Sequence, residues 1–412
     1  MLLLYNLFIA FSRIGIGIAA GWNSKARLWV AGRKNLFSNL QASIPANEKI
    51  IWMHCASAGE FEQGKPVLEK LKEDYPNHKV LVTFFSPSGY SVGKKYVGAD
   101  HIFYLPLDTQ KNAKRFVQIV QPKLVIFVKY EYWYHHLKAV ADQKIPLLLI
   151  SSIFRKRQVF FKWCGGFYRN ILKLFTKIFV QDKDSKELLH SIGIKHCSVN
   201  GDTRFDRVAT IAGNADPKEN ISNFIKSSKV IIAGSTWPDD EQLLTYLNSI
   251  NDYKLIIAPH EINPTHLKNI SKLFPASVLY SKLNDHTKSK VLVIDNIGML
   301  SRIYQYATIT YIGGGFNKSG IHNTLEATVW SKPVIFGPNY QKFKEAKELI
   351  EEGAAFSVEN ETELKEVVQK LLTDIERLKQ SSVAAGLYVQ KNRGATEKII
   401  SYIHENRLLT TP

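Results

Sequence analysis

Short, nearly uninterrupted apolar runs recur along this chain, with amphipathic stretches between them. In the first half they are IIWMHCA (50–56), KVLVTFF (79–85), HIFYLPL (101–107), KLVIFVK (123–129), PLLLISS (146–152) and KIFVQD (177–182). Runs of this length without polar alternation belong to strands covered on both faces, the setting of a parallel sheet. Between them, FEQGKPVLEKLKEDY and KNAKRFVQIVQ carry apolar residues at helical spacing. Strand and helix in alternation predict a doubly wound parallel sheet.

The second half repeats the scheme with KVIIAGS (229–235), YKLIIAPH (253–260), SKVLVIDN (289–296), ATITYIGGG (307–315) and KPVIFGP (332–338). The pattern predicts two Rossmann-like α/β domains facing a central cleft, with ligands at the carboxyl ends of the strands. The change of domain falls between Asn200 and Asp216, where GDTRFDR gives way to the polar AGNADPKENISN. We place the first domain at residues 23–208 and the second at 209–412. The stretch from Glu361 to about Asn406 reads as helical, and its last helix can cross back to the first domain.

Residues 1–22 stand apart as a membrane anchor. The run MLLLYNLFIAFSRIGIGIAA is mostly apolar and about long enough to span a bilayer. Arg13 near its middle would cost roughly 2.5 to 3.5 kcal/mol there. That leaves a single span, an interfacial helix and an ordinary helix packed on the core all open. No Lys or Arg precedes the run, and Lys25, Arg27, Arg33 and Lys34 follow it. This disfavours a cleavable signal peptide and puts the body of the protein on the cytoplasmic side.

Length and charge sharpen the picture. A chain of 412 residues exceeds one ordinary core, in keeping with two domains. A formal net charge of +17 attracts nucleic acid, acidic lipid or phosphorylated substrates without choosing among them. Cys55, Cys164 and Cys197 are too few and too scattered for a disulfide framework or a zinc site, which fits a reducing compartment.

Four segments carry candidate chemistry. Small residues at Ser57–Gly59 open a helix after the first strand, and Glu60 in its first turn can accept a proton from an attacking hydroxyl; alternatively it only complements the helix dipole. Glu131, among Tyr130, Tyr132, Trp133 and Tyr134 at the end of the fourth strand, can bind sugar hydroxyls or serve as a structural carboxylate. The neighbouring His135 and His136 diverge on a helix and make a poor metal pair. Arg204 and Arg207 can hold an oxyanion bidentately or form a solvated basic patch. Gly313, Gly314 and Gly315 form a turn before a helix beginning around Asn323, whose N-terminus can hold a phosphate and whose Glu326 can take ribose hydroxyls; tight packing alone would also explain the turn. The turns Pro259–Glu261 and Asp295–Leu300 face the same crevice, with His260 at its strand end. No GxGxxG opens the first strand and no P-loop is present, which argues against a dehydrogenase or a P-loop ATPase.

Taken in order, SAGE (57–60), TFFSPSGY (83–90), YLPLD (104–108), YEYW (130–133), GDTRFD (201–206), PHE (259–261), DNIGML (295–300), GGGF (313–316), HNTLEA (322–327) and PVIFGPNYQKFKEA (333–346) resemble the 3-deoxy-D-manno-octulosonic acid (Kdo) transferase family. The resemblance spans nearly the whole chain. It implies a GT-B fold and inverting, metal-independent transfer of Kdo from CMP-Kdo to a phosphorylated lipid A precursor, without a cofactor. It implies an anionic membrane surface as partner, not nucleic acid, and the cytoplasmic face of the inner membrane as location. By this resemblance Glu60 is the general base, and Glu131 and Arg204 stabilise the transition state. Pro259, His260, Gly298, Met299, Leu300, Asn323, Thr324, Leu325 and Glu326 fall on CMP-binding positions, to which the turn at Gly314 and Gly315 adds donor contacts.

Arg204 stands where the family often has Lys, Met299 replaces a common acidic residue, and PHE continues as INPTHL without the usual arginine. FRKRQVFFKW (154–163) interleaves basic and aromatic residues and is expected to face the membrane. Two other readings remain: another GT-B sugar-nucleotide transferase or epimerase, and a non-catalytic membrane-bound binding protein.

Overall fold

The computed structural model describes residues 1–249 and 253–409. Three helices precede the first strand: α1 (Leu2–Ala19), α2 (Ser24–Ala31) and α3 (Leu36–Ser43). Strands β1 (Ile50–Cys55), β2 (Lys79–Phe84), β3 (His101–Tyr104), β4 (Pro122–Val128), β5 (Leu147–Ser152), β6 (Lys177–Val180) and β7 (Cys197–Val199) form one parallel sheet. Its order is β3-β2-β1-β4-β5-β6-β7. A second parallel sheet holds β8 (Lys229–Thr236), β9 (Tyr253–Pro259), β10 (Ser277–Leu279), β11 (Val291–Val293), β12 (Ile309–Ile312), β13 (Val334–Phe336) and β14 (Ala355–Ser357), in the order β10-β11-β9-β8-β12-β13-β14.

The chain divides into two compact units. One comprises Met1–Arg207 and the residues from Arg393 on, the other Val208–Asn392. In the first, β1 is buried along its whole length, and Ile51 pairs with Val80 of β2 on one side and Leu124 of β4 on the other. Alternate residues feed two separate cores. Trp52, Leu81, Val125 and Phe127 fill one face of the sheet, while Ile51, Met53, Val82 and Ile126 fill the other. That two-faced burial is why these strands read as continuous apolar runs.

The helix Ala395–Glu405 completes the second of those faces. Its Ile399, Ile400 and Ile403 join Phe61, Leu68 and Phe179 in one cluster, each contributing about 1.5 to 3 kcal/mol of apolar burial. The Asp206 carboxylate accepts from the backbone N–H of Gly394 and of Thr396, both at 2.7 Å, so the helix start is capped from another part of the unit.

In each sheet the strand order reverses beside the first strand. After β1 the chain builds outward through β2 and β3, then returns to place β4 on the other flank; β8 and β12 repeat the arrangement. Ligands of open α/β sheets bind at the carboxyl ends of such neighbours. Three non-glycine residues at these edges, Lys129 (φ 69°), Ser151 (φ 52°) and Ser235 (φ 55°), adopt left-handed backbone, at a cost of about 1 to 3 kcal/mol each.

Candidate functional site

In the first unit the helix following β1, α4 (Ala58–Asp74), starts after Ser57, with Glu60 in its first turn. The Ser57 hydroxyl donates to Glu60 Oε2, so the carboxylate folds back over its own helix start. Glu131 lies in the short link between β4 and the helix Tyr134–Asp142. Its Oε2 faces His54 Nε2 at 3.0 Å and accepts from the Trp133 indole at 2.5 Å. His54 is fully buried, and its Nδ1 lies 2.9 Å from Thr83 Oγ1, which in turn accepts from the Trp52 indole at 2.8 Å. A buried relay through Trp52, Thr83 and His54 therefore fixes the carboxylate from below, and Trp133 fixes it from the side.

Arg204 reaches the same edge from the start of the helix Thr203–Gly213. Its Nε donates to Asp202 Oδ2 at 2.8 Å, and its backbone N–H donates to Oδ1 at 2.9 Å. Burial works to raise the Asp202 carboxyl, but the charge and hydrogen bonds of Arg204, with a bond from Gln63, outweigh it and hold the group below the usual carboxylate range. The Thr203 hydroxyl donates to the Gln63 carbonyl at 2.6 Å, tying this segment to α4.

Electrostatics place the three residues in one neighbourhood. Burial, then the charges of Glu60 and Glu131, push the Cys55 thiol well above its ordinary value. Burial also raises the Tyr130 phenol, which feels Arg155, Arg204 and Glu60. Glu60, Glu131 and Arg204 thus gather where β1 and β4 end.

Other expected features separate. Arg207 donates to Glu62 at 2.9 Å and to Glu69 at 3.4 Å, a structural ion-pair cluster. Tyr132 turns away from Glu131 to pack on Phe160, 4.9 Å between ring centres. The segment FRKRQVFFKW divides: Phe154 and Phe160 are core, whereas Trp163 is 94% exposed and Arg155, Lys156 and Arg157 are exposed beside it. His135 and His136 take different partners, Asn6 at 2.7 Å and Asp108 at 2.5 Å.

At the corresponding edge of the second unit, three rings stack. Trp237, which follows β8, lies 4.7 Å from His260, which follows β9, and His260 lies 4.4 Å from His322. The Trp237 indole donates to His322 Nε2 at 3.1 Å. Burial, then the neighbouring His260, lower His322 to about 4, so the ring is neutral and able to accept.

The glycine turn is shaped by its surroundings. Gly314 has φ 89°, and its N–H donates to the buried Asp240 at 2.8 Å. A Cβ on Gly315 would stand 2.4 Å from the backbone of Gly337. A Cβ on Gly313 would stand 2.3 Å from the backbone of Ser235 and one on Gly314 2.7 Å from that of Gly320, so close packing requires glycine at all three turn positions. Burial raises the Asp240 carboxyl despite bonds from Gly314, Tyr311 and Trp237. The helix expected around Asn323 is a single turn, Leu325–Thr328. Asn323 bridges its start, accepting from Leu325 N–H at 3.2 Å and donating to Glu326 at 3.1 Å, while the buried Thr324 hydroxyl has no hydrogen-bond partner among the described residues. Pro259 ends β9, and Gly298 (φ 93°) and Met299 lead into the turn Leu300–Ile303.

Residues 30–207 match the family model described as 3-Deoxy-D-manno-octulosonic-acid transferase (kdotransferase). The 3-deoxy-D-manno-octulosonic acid transferase of Aquifex aeolicus is 29% identical over 366 residues, covering 83% of this chain and 92% of that protein. The chain is a relative of the Kdo transferases. Two solved structures share its fold. A putative UDP-N-acetylglucosamine 2-epimerase from Listeria monocytogenes superposes with a TM-score of 0.61 at 14% identity, over 89% of this chain and 98% of its own. A glycosyltransferase from Rickettsia africae gives 0.57 at 15%, over 87% and 98%. The two-domain GT-B architecture expected of a Kdo transferase relative is thus present.

Sequence reasoning passed over His54, Asp202, Trp237, Asp240 and His322. Position held the signal for several of them. His54 is the polar residue in an otherwise apolar strand, Trp237 follows the first strand of the second sheet much as Ser57 follows the first strand of the first, and Asp202 sits two residues before Arg204.

Proposed function

We propose that this chain is an inverting Kdo transferase that moves Kdo from CMP-Kdo to a phosphorylated lipid A precursor at the cytoplasmic face of the inner membrane. The observation that carries this reading is the match to Kdo transferases along most of the chain, joined to a paired-carboxylate site at the β1/β4 edge. Glu60 takes the proton of the acceptor hydroxyl as that oxygen bonds to the anomeric carbon, and the bond from that carbon to the CMP phosphate breaks on the opposite side. Glu131 and Arg204 stabilise the charge that develops. The anchors on each, His54 and Trp133 on one and Asp202 on the other, support this role because a preorganised group needs no reorientation during reaction. In the second unit Pro259, His260, the turn Gly298–Leu300 and Asn323–Glu326 receive CMP, beside the stacked rings of Trp237 and His322.

The membrane part rests on α1, the helix among the described residues long and apolar enough to cross a bilayer. Asn6 meets His135, the Tyr5 hydroxyl donates to Asp108 at 2.5 Å, and Ile9 is buried against the body. Leu3, Phe8, Phe11 and Ile18 remain exposed. A helix tied down along one side and apolar on the other suits an in-plane position in the interface better than a span.

The test is transfer by detergent-solubilised protein given the lipid A precursor and freshly generated CMP-Kdo, with the lipid product weighed. A gain of whole Kdo units is expected. No gain while CMP still binds would overturn the proposed reaction and leave the fold assignment untouched.

A further inference from the structure

Beside α1 the first unit holds a cavity of about 650 Å³ that plays no part in the site above. Arg13 and Gly17 of α1 form one wall, and Trp29, Phe37 and Leu107 supply apolar surface. Arg13, Arg33, Lys34 and Lys111 line it, and no acidic side chain among the described residues does. Arg13, Lys34 and Lys111 are exposed and have no carboxylate partner among the described residues.

Arg33 is held differently. It donates to the carbonyls of Leu105, Trp29 and Phe85, and its guanidinium carbon stands 3.9 Å from the centre of the Trp29 ring. Its neighbours are carbonyls and rings rather than a counter-ion, and burial lowers it to about 9. Trp29 itself is 8% exposed, and its indole N–H has no acceptor among the described residues. A buried indole N–H left unmatched, within a ring of cations, indicates a missing anion.

We propose that this cavity seats the phosphate of one anionic phospholipid drawn from the bilayer, with its chains laid along the exposed apolar side of α1. Three features select that occupant. The rim is cationic, which suits a phosphate. The floor is apolar, which a free inorganic anion would leave unused. The wall belongs to the helix whose far side, at Phe11 and Ile18, is open hydrocarbon surface. A neighbouring cavity of about 580 Å³ shares Arg13, Leu107 and Thr109 with the first. The helix is fastened at Tyr5, Asn6 and Ile9, and the two cavities flank it from Asn6 to Gly17, where a lipid can enter from the membrane side. The proposal depends on the reading above only in putting α1 at a membrane surface; failure of Kdo transfer would leave it standing.

The experiment is native mass spectrometry of the full-length protein in detergent, with phosphatidylglycerol or phosphatidylcholine added at equal concentration. One phosphatidylglycerol per chain should be retained in preference to phosphatidylcholine. The double variant Lys34→Ser/Lys111→Ser should weaken that retention by about 25-fold, about five-fold for each cation at a membrane surface. Arg13→Ser, which leaves both lysines in place, should weaken it by about five-fold. Equal retention of the two lipids would overturn the proposal, as would parental retention by both variants. Displacement by one equivalent of the lipid A precursor would also overturn it, assigning the cavity to the acceptor instead. Displacement by millimolar inorganic phosphate would mean that the acyl chains contribute nothing.

Discussion

Replacing His54 with leucine tests whether the relay beneath Glu131 matters to turnover. The imidazole is completely buried and makes two kinds of contact, to Thr83 and to Glu131. Removing it need not strand either partner, because Thr83 Oγ1 keeps the Trp52 indole and Glu131 keeps the Trp133 indole. The stability cost is then that of one neutral hydrogen bond and one to a carboxylate, together about 2 to 4 kcal/mol. The larger consequence falls on geometry. Glu131 would be held from one side only, and losing about 1.5 to 3 kcal/mol of positioning corresponds to roughly 10- to 100-fold in kcat. His54→Gln, whose amide nitrogen can reach toward Glu131, should recover much of that loss. Initial rates of Kdo transfer, with CMP affinity measured by calorimetry, separate the effects: kcat should fall while the CMP Kd stays put. A leucine variant within about three-fold of the parental kcat would refute the positioning role.

Three further outcomes are expected. Glu60→Gln should lower the transfer rate by roughly 10²- to 10⁴-fold with CMP binding intact; lost CMP binding would instead mark Glu60 as structural. His322, lowered to about 4 in the fold against 6.5 ordinarily, makes the unfolded chain the better proton binder between those values. Its stabilising contribution is present above about pH 6.5 and lost as pH falls toward 4. Thermal unfolding at pH 7 and 4.5 should therefore show a smaller acid loss in His322→Gln than in the parent, and an equal loss would contradict the assignment. Arg155→Ser/Arg157→Ser removes two exposed cations beside Trp163 and should weaken binding to phosphatidylglycerol vesicles by roughly 25-fold at low salt; unchanged sedimentation would detach this loop from the membrane.

The strands that sequence made legible are those whose burial is two-sided. β1 and β4 sit mid-sheet, so almost every residue from Ile50 to Cys55 and from Leu124 to Val128 must be apolar. β7, β10 and β14 escaped because they are three-residue strands at sheet edges, where Ser198 and Ser277 are half-buried and no continuous run is needed. Candidate site positions are legible where they follow a strand end, as Glu60 and Glu131 do. What those residues bond to was not, because partners such as Thr83 and Asp202 come from distant segments whose register only the folded sheet fixes. Within the aromatic and basic run at 154–163, Phe154 and Phe160 fill a core while Arg155, Arg157 and Trp163 are exposed, a division that sequence periodicity alone does not show.

The helix Ala395–Glu405 gives this protein a built-in completeness check. The sheet core that carries β1 and its following helix lacks Ile399, Ile400 and Ile403 until the segment after the second unit has been translated, and until then the Asp206 carboxylate has no helix start to cap. A nascent chain whose first 207 residues have left the ribosome therefore holds the segments bearing Glu60, Glu131 and Arg204, yet exposes an apolar face against which they cannot settle. Chains truncated before Ala395 should be aggregation-prone and quickly degraded, so this core is complete only on chains that also carry the second unit.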